Sequence, residues 1–448
     1  MLTNDQARDR ATNLVARALK AGADAADAVY VADASTGVQV RLGALEDVQR
    51  SEGEEIGLRV FVGRQSASAS SSDLSTDALE KLAERAVAMA GQAPEDEFAG
   101  LAPEDMLMRD APRLLDIDDT IDVSPQDLRD RAMAAEDAAR AVTGVTNSEG
   151  GSASAGRAVI ALATSTGFSG GYSGSSHGVS ASVLAGEGAG MQRDYSYHSV
   201  RHLGDLDDAA LIGRNAGERA VVRLNPVRLK SGPMTIVFDP RIGVSLVGHL
   251  LGAITGGAIA RKTSFLLDAL ETELFKSGIT IIDDPHRLRG LRSRPFDGEG
   301  LPTSRRAIID QGVLTGWLLD SASARQLGLT PTGHASRGVG GPPGAGTSNV
   351  HMEPGTLSPT ELMADIKEGL YVTDLIGQGV NGLTGDYSRG ASGFVIRNGQ
   401  LAEAVAEVTI AGNLKDMFRT LTPANNLTFR YGTNVPTLRV DGMTLAGD

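Results

Sequence analysis

The chain has 448 residues, of which 41% are apolar and 4% aromatic, with 55 glycines and no cysteine. A chain of this length exceeds what one hydrophobic core usually organises, so we expect two domains. The lack of cysteine excludes disulfides and thiolate chemistry and fits a reducing compartment. The formal net charge of −14 argues against nucleic-acid binding, which requires a basic surface.

The N-terminal sequence bears on cellular location. Its first ten residues, MLTNDQARDR, are charged and lead into no apolar stretch, so they do not resemble a secretory signal. The longest apolar run has 17 residues, whereas a membrane helix needs roughly 20. We therefore expect a cytoplasmic protein without a membrane span.

Hydrophobic spacing predicts the main elements of the N-terminal half. Helices are expected over 5–21, 77–90 and 207–222, and another opens with the N-cap sequence Ser124-Pro125-Gln126-Asp127. Strands are expected over 27–32, 37–42 and 55–62, followed by short Ser/Gly/Ala-rich strands between 145 and 200. We place a domain boundary within the proline-flanked segment 225–232. It separates an N-terminal mixed α/β sheet domain (1–225) from a C-terminal domain (226–448).

The C-terminal half is predicted to be mainly antiparallel and barrel-like. A strand over 235–238 precedes the apolar run, and many short strands follow it. Asp310-Gln311-Gly312 and Asn398-Gly399 predict tight turns, and Asn-Gly between apolar alternations is a strong hairpin signal. Because helices and strands come in separate blocks, we predict an α+β fold.

The apolar run over 244–260, VSLVGHLLGAITGGAIA, predicts a buried glycine-rich helix. Gly248, Gly252 and Gly256 recur at fourfold spacing and would form a smooth strip on one face. A glycine inside a helix costs about 1 kcal/mol relative to alanine, so we expect close packing against another backbone. His249 lies beside this strip, where a hydrogen-bonded core histidine is the commoner occupant.

Two motifs suggest ligand sites, but the sequence around each of them does not support such a site. His198 and His202 have the spacing of a helical metal pair, but the sequence around them alternates with period two. On a strand, four residues span about 13 Å, too far for both rings to bind one ion. The G-x-G-x-x-G sequence at 377–382 follows a predicted strand over 370–376, but no helix can follow it to hold a pyrophosphate.

Four segments together resemble the TldD/TldE (PmbA) family, whose members have been described as modulators of DNA gyrase. They are 236–265, 317–320, 379–394 (GVNGLTGDYSRGASGF) and 408–418 (VTIAGNLKDMF). The resemblance implies a two-domain α+β protein. It also implies a zinc peptidase helix, H-E-x-x-x-H, with a distant cysteine ligand in TldD-type members.

The zinc ligands of the TldD type are missing here. When the Arg-Lys pair ending that helix is aligned with Arg261 and Lys262, Gly248 takes the first histidine position. His249 then replaces the glutamate, and Ala253 replaces the second histidine. The cysteine ligand, expected near Gly412 and Asn413, has no counterpart. This departure is similar to the TldE/PmbA branch, the metal-free partners of TldD.

The resemblance implies a non-catalytic subunit of a zinc metallopeptidase complex that degrades or matures unfolded or modified peptides. The TldD-like partner would supply zinc, and this chain would bind no cofactor and help to form the cleft for an extended peptide. No catalytic or metal-binding residue is predicted. The candidate substrate-binding residues are His249, Arg389 and Asn413, with the Gly-rich segments 338–346 and 377–393 as possible groove walls.

Two alternatives stay open at this stage. The chain could be a peptidase in its own right, with a non-standard metal site formed by His249, His334 and His351. The other alternative is a peptide-binding adaptor without a protease role, which would form a homodimer when alone.

Overall fold

Two successive units, each of helix, three strands and helix, build the N-terminal half of the chain. The protein is described by a computed structural model covering residues 1–447. The first unit contains α1 (Asn4–Lys20), β1 (Ala25–Arg41), β2 (Ala44–Val62), β3 (Gln65–Ser71) and α2 (Thr76–Ala90). The second contains α3 (Pro125–Arg140), β4 (Val145–Thr164), β5 (Ser169–Ala185), β6 (Gln192–Val200) and α4 (Ala209–Val222). The sequence analysis did not detect this repeat.

The six strands of the two units form one antiparallel sheet in the order β3-β2-β1-β4-β5-β6. The two units are thus related by an approximate two-fold axis between β1 and β4. On one face of β1, Tyr30 packs with α1 and α2, and Val38 packs with α3. On the opposite face, Val29 packs with Phe296 and Leu301 of the C-terminal half. The sheet therefore has its own helices on one side and the rest of the chain on the other.

Strand β1 is longer than predicted. The sequence favoured separate strands over 27–32 and 37–42, but β1 pairs without a break with β4 from Asp27↔Thr164 to Val40↔Gly151. The polar residues between them suggested a loop because a strand interior is usually apolar on one face. Their side chains lie on the stretch of the sheet between the part covered by α1 and α2 and the part covered by α3. They therefore need no apolar contact.

The C-terminal half begins at Gly232 and contains short and long strands with a few small helices. Its helices are α5 (Pro240–Ala253), α6 (Gly256–Ala260), α7 (Ser321–Leu327), α8 (Pro359–Met363) and α9 (Leu414–Thr420). Its longer strands are β7 (Gly232–Phe238), β14 (Glu368–Ile376), β15 (Asp386–Arg397), β16 (Gln400–Asn413) and β19 (Leu438–Ala446). Its short strands are β8 (Ile281–Asp283), β9 (Arg306–Asp310), β10 (Val313–Leu314), β11 (Ala335–Ser336), β12 (Gly344–Ala345), β13 (Val350–Met352), β17 (Thr422–Pro423) and β18 (Thr433–Asn434).

The five long strands close into a barrel in the order β16-β15-β14-β7-β19, with β19 pairing back to β16. Only β14 and β7 run parallel; the other neighbours in the barrel are antiparallel. The prediction of an α+β fold with a barrel-like, mainly antiparallel C-terminal domain is confirmed. The hairpin between β15 and β16 turns at Asn398 and Gly399, with φ of 49° and 79°, which matches the predicted Asn-Gly turn.

Helix α5 packs on the barrel core. It follows β7 directly, starting after the N-cap Asp239, whose carboxylate accepts a hydrogen bond from the Arg241 amide at 2.9 Å. Its buried residues Leu246, Val247 and Leu250 belong to the same core as the inward-facing residues of the barrel. The predicted apolar run thus forms a buried helix, but it breaks after Ala253 and resumes as α6.

A buried network of charges joins the two halves of the chain. Asp27 of β1 pairs with Arg59 of β2 and with Arg337, which follows β11. Arg59 also lies 4.0 Å from Glu299, whose carboxylate accepts hydrogen bonds from the Ser321 amide and hydroxyl. These contacts fix the N-terminal sheet against the C-terminal half.

Across residues 1–447, no helix combines the length and the apolar character needed to cross a membrane.

Candidate functional site

One side of α5 is open. Gly248 and Gly252 are exposed, and a Cβ atom built on either would meet no atom within 4 Å. Gly256 differs, because a Cβ there would lie 2.2 Å from the Ser323 hydroxyl oxygen. The predicted packing strip is therefore wrong for Gly248 and Gly252, and only Gly256 allows close packing. The two open glycines leave a length of helix surface without side chains.

His249 lies at the border of this open surface and packs against Tyr387. Their rings meet edge to face, with 6.1 Å between centroids. Tyr387 is on β15, opposite Gly412 of β16, and is 1% exposed. Arg389 follows two residues later, so its side chain leaves the same face of the strand. The structure thus brings two of the three candidate residues, His249 and Arg389, to one place.

Three polar atoms in this cluster are enclosed but form no hydrogen bond of good geometry within residues 1–447. They are Nε2 of His249, the hydroxyl oxygen of Tyr387 and Nε of Arg389. Buried polar atoms are usually paired, since leaving one unpaired costs about 1–3 kcal/mol. Three such atoms in one cluster therefore mark a candidate ligand site.

The electrostatics of the cluster are set by burial and by Arg389. Burial lowers the pKa of His249, and the nearby Arg389 charge lowers it further. Burial raises the pKa of Tyr387 to about 12, although the same guanidinium opposes this rise. No carboxylate shifts either pKa, and Arg389 forms no ion pair with any described residue. At neutral pH the cluster therefore contains a neutral imidazole, a neutral phenol and an uncompensated positive charge.

Asn413 has a different role. Its side chain caps α9 through the Lys415 amide at 3.1 Å and donates to the Thr384 carbonyl at 3.0 Å and the Asp386 carboxylate at 3.1 Å. Asn413 lies opposite Asp386 in the β15–β16 pair. Because Asp386 is the neighbour of Tyr387 on β15, the side chain of Asn413 leaves the face of the sheet opposite to that of Tyr387. Asn413 thus positions the loop before β15, and its amide is occupied by these contacts.

The loop over 377–385 lines a surface cleft of about 690 Å³, together with Thr263 and Ser388. It folds back on β15, where the Ser388 amide donates to the Gly379 carbonyl at 2.7 Å. A Cβ at position 379 would lie 1.7 Å from the Ser388 carbonyl oxygen, so the close approach requires glycine there. As predicted, no helix follows the G-x-G-x-x-G sequence; the chain enters β15 instead.

The second glycine-rich segment, 338–346, does not line this cleft. It connects the hairpin strands β11 and β12, and its Val339 carbonyl packs against Gly57 of β2. This segment thus helps to join the two halves of the chain, and the cleft-lining residues come from 377–388 instead.

The histidines of the alternative metal site have separate partners. His334 lies 3.2 Å from the Asp283 carboxylate, His351 lies 3.4 Å from Glu353, and His249 contacts Tyr387. Within residues 1–447, no three side chains of His, Cys, Asp or Glu are arranged to hold a metal ion. The proposed His249–His334–His351 set is therefore wrong as a ligand group.

The strand predicted around His198 and His202 is present at His198 but ends at Val200, so the prediction is wrong for His202. His198 lies on β6 and accepts a hydrogen bond from the Asp207 amide at 3.1 Å. His202 lies beyond the strand and contacts the Asp116 carbonyl at 2.9 Å. The two rings therefore form hydrogen bonds with different segments of the chain.

The sequence analysis missed Tyr387. Its signal was present in the alternation Asp386-Tyr387-Ser388-Arg389, which on a strand places Tyr387 and Arg389 on one face. The contact with His249, 138 positions earlier in the chain, could not be derived from that pattern.

Known sequence families match most of the chain. The matches are described as PmbA/TldA metallopeptidase domain 1 over 26–90, central domain over 118–224 and C-terminal domain over 231–447. The first two correspond to the two repeated units of the N-terminal sheet. This chain belongs to the PmbA/TldD metallopeptidase family.

Individual relatives agree with this assignment. The chain is 39% identical to metalloprotease PmbA of Escherichia coli O157:H7, over 97% of this chain and 95% of that protein. It is 36% identical to the metalloprotease PmbA homolog of Haemophilus influenzae, over 96% and 94% of the two chains.

Solved structures share the whole fold. A protein of Bacteroides thetaiotaomicron, described as a proposed modulator of DNA gyrase, superposes with a TM-score of 0.92 at 28% identity over 100% of both chains. TldE of Thermococcus kodakarensis has a TM-score of 0.86 at 21% identity, over 97% of this chain and 99% of that one, which supports the fold alone.

The family description implies a metal, and α5 is where the resemblance would place it. The residues at the aligned positions do not fit: Gly248 and Ala253 carry no donor atom, and His249 points to Tyr387. No chemical step through a metal is therefore derived for this chain.

Proposed function

We propose that this chain is the non-catalytic subunit of a TldD/TldE-type metallopeptidase complex. The observation that carries the proposal is the open side of α5. There Gly248 leaves bare helix surface, and Ala253 is a buried residue without a ligand atom. In this proposal the TldD-type subunit supplies zinc and hydrolysis, and this chain contributes a wall of the cleft that receives an unfolded or modified peptide.

The bare surface of α5 supports a role in contact with another chain. Two glycines on the open side of α5 weaken the helix by about 1 kcal/mol each relative to alanine, and neither is needed for packing among the described residues. Such positions let a foreign backbone approach the helix axis closely. A partner subunit or an extended peptide lying across Gly248 and Gly252 would use this property.

Side chains, rather than strand addition to the barrel, would hold the peptide. Strand addition requires a free sheet edge, and the five-stranded barrel closes on itself through β16 and β19. The cluster of His249, Tyr387 and Arg389 adjoins the open helix surface and offers unpaired polar atoms instead.

Reconstitution with a TldD-type subunit tests the proposal. Hydrolysis of a denatured protein substrate would be measured for each subunit alone and for the mixture, with and without a chelator, and zinc content would be measured for each subunit. We expect activity only in the mixture, its loss with the chelator, and zinc only in the TldD-type subunit. Stoichiometric zinc in this chain together with cleavage in the absence of a partner would overturn the proposal.

The same mixture of subunits distinguishes the proposed function from the alternative in which this chain is a peptide-binding adaptor. A subunit of the protease forms a stoichiometric pair with the TldD-type chain, as measured by light scattering after size-exclusion chromatography. An adaptor that delivers peptides without joining the protease would elute separately at all ratios.

A further inference from the structure

We propose that Arg389, with Tyr387 and His249, forms a binding site for a carboxylate group of the peptide. The chemistry is shared by two sources: the C-terminal carboxylate of a peptide, and the side chain of an internal Asp or Glu. This inference deepens the proposed function, since it names the group that the peptide-holding surface recognises.

The first argument is the hydrogen-bonding character of the cluster. A guanidinium has only donors, in a planar fork that matches the two oxygens of a carboxylate. The Tyr387 hydroxyl and the Nε2 atom of His249 lie enclosed beside it, so the donors that an external group can reach are the outer nitrogens of the partly exposed Arg389 guanidinium. A carboxylate, which accepts through both oxygens, is the group that complements them.

The second argument is the lack of a counter-charge at Arg389. Several enclosed arginines of this chain are paired with carboxylates, such as Arg59 with Asp27 and Arg241 with Asp194, and others, such as Arg325, bind backbone carbonyl groups. Arg389 has no such partner within the described residues, although acids exceed bases in the chain by 56 to 42. A partly buried charge without a counter-charge is unfavourable, so an external anion would supply what the fold does not.

The third argument is access. Arg389 and His249 are each partly exposed, while Tyr387 beneath them is buried. Gly252 lies nearly one turn after His249 on α5, and Gly248 precedes it, so the approach along the helix has no side chain to obstruct it. In this arrangement Arg389 touches the carboxylate, and His249 and Tyr387 act as positioning residues beside and beneath it.

The test measures binding of four fluorescent peptides to the isolated full-length chain by fluorescence anisotropy. The peptides share one unstructured sequence and differ only in a free or amidated C-terminus and in an internal Glu or Gln. We expect a carboxylate-bearing peptide to bind about tenfold or more tightly than the peptide with neither group, because it gains a charge-assisted hydrogen bond to the guanidinium. The free C-terminus and the internal Glu, varied separately, identify the source.

Variants assign the effect to this cluster. Arg389→Gln should abolish the preference for a carboxylate, Arg389→Lys should keep part of it, and Tyr387→Phe should weaken it. Arg397→Gln is the matched control, since Arg397 lies on the same strand but is exposed and paired with Glu403 at 2.8 Å. A thermal melt of each variant establishes that it is folded. Should Arg389→Gln fail to fold, Arg389→Lys and Tyr387→Phe carry the test.

The peptide-binding result can refute the carboxylate site without refuting the proposed function. The proposed function can likewise be refuted without refuting the site. Equal binding of all four peptides, binding of none, or a carboxylate preference that survives in the folded Arg389→Gln variant would each overturn the site. Because binding is measured without a partner, a failure to activate the TldD-type subunit would overturn only the role in the complex.

Discussion

The carboxylate of Asp27 accepts a hydrogen bond from the guanidinium of Arg337, 310 residues further along the chain, and both side chains are 1% exposed. Asp27 also binds Arg59, so a single carboxylate balances two buried guanidiniums. Burial alone would raise the pKa of Asp27, but Arg337 and Arg59 together lower it below its usual value. The contact between the two halves of the protein therefore depends on an ionised Asp27.

Replacing this carboxylate should destabilise the protein strongly. Asp27→Asn leaves Arg59 and Arg337 buried without their shared counter-charge, and we expect a loss of about 3–5 kcal/mol in the free energy of unfolding. Arg337→Met should cost less, because Asp27 keeps Arg59. Urea denaturation followed by circular dichroism measures both, with Arg397→Gln as an exposed control. Equal stability of Asp27→Asn and the wild type would contradict the assigned role.

The pH dependence of stability should carry a contribution from Glu299. Burial and the neighbouring Asp297 raise the pKa of Glu299 to about 7, above its ordinary value of 4.5. The folded state therefore binds this proton more tightly than the unfolded state, and the resulting stability is complete below pH 4.5 and lost as the pH rises through 7. The difference corresponds to roughly 3 kcal/mol.

Glu299→Gln removes this titration while keeping an acceptor for the Ser321 amide and hydroxyl. We expect the variant to gain stability relative to the wild type as the pH is raised from 5 to 8, as measured by urea denaturation at each pH. A constant difference between the two proteins over that range would show that Glu299 does not titrate there.

The glycines of α5 and α6 should respond in opposite ways to substitution. Gly248→Ala and Gly252→Ala place a methyl group in open space on a helix and should each stabilise the protein by up to about 1 kcal/mol. Gly256→Ala should destabilise it, since the new Cβ would lie 2.2 Å from the Ser323 hydroxyl oxygen. Thermal melts measure all three variants.

Larger side chains on the open helix surface should separate folding from function. Gly248→Leu should leave the protein folded but reduce activation of a TldD-type subunit in the reconstituted assay. Arg397→Leu, at an exposed site on the barrel, should leave activation unchanged. Full activation by the Gly248→Leu variant would show that the open surface of α5 has no role in the proposed function.

Asn413 should affect the loop rather than binding chemistry. Asn413→Ala removes the N-cap of α9 and the two hydrogen bonds to the 384–386 region, and we expect a loss of about 1 kcal/mol with faster amide exchange over 377–385. Asn413→Asp keeps the capping oxygen and should preserve α9 while losing the donor to the Thr384 carbonyl. Hydrogen exchange by mass spectrometry distinguishes the two variants. Unchanged exchange in Asn413→Ala would refute the anchoring role.

Local patterns predicted the local elements of this fold. The helix expected over 5–21 is α1, and Ser124 caps α3 with the capping box that its spacing to Asp127 suggested. Asn398-Gly399 forms its turn because both positions need positive φ, which these residue types tolerate. Each of these signals depends on residues within one turn or hairpin.

Long-range relationships were less accessible. The repeat in the N-terminal sheet is a repeat of element order, and its two units meet through the β1–β4 pairing and through helices that pack across it. The open position of Gly248 depends on what the rest of the chain leaves uncovered, so periodicity could not separate it from Gly256. His249 and Arg389 were found from a family resemblance and composition, whereas their meeting through Tyr387 required the tertiary structure.

Strand β2 extends well beyond the neighbour on its outer side. It pairs with β3 only from Ile56 to Val62, so residues 44–55 present unpaired backbone groups to solvent along one border. Five of these twelve residues are acidic (Glu46, Asp47, Glu52, Glu54 and Glu55), and these like charges repel the same edge of a second copy. Acidification would neutralise that repulsion, and two copies would then be more prone to pair edge to edge along β2.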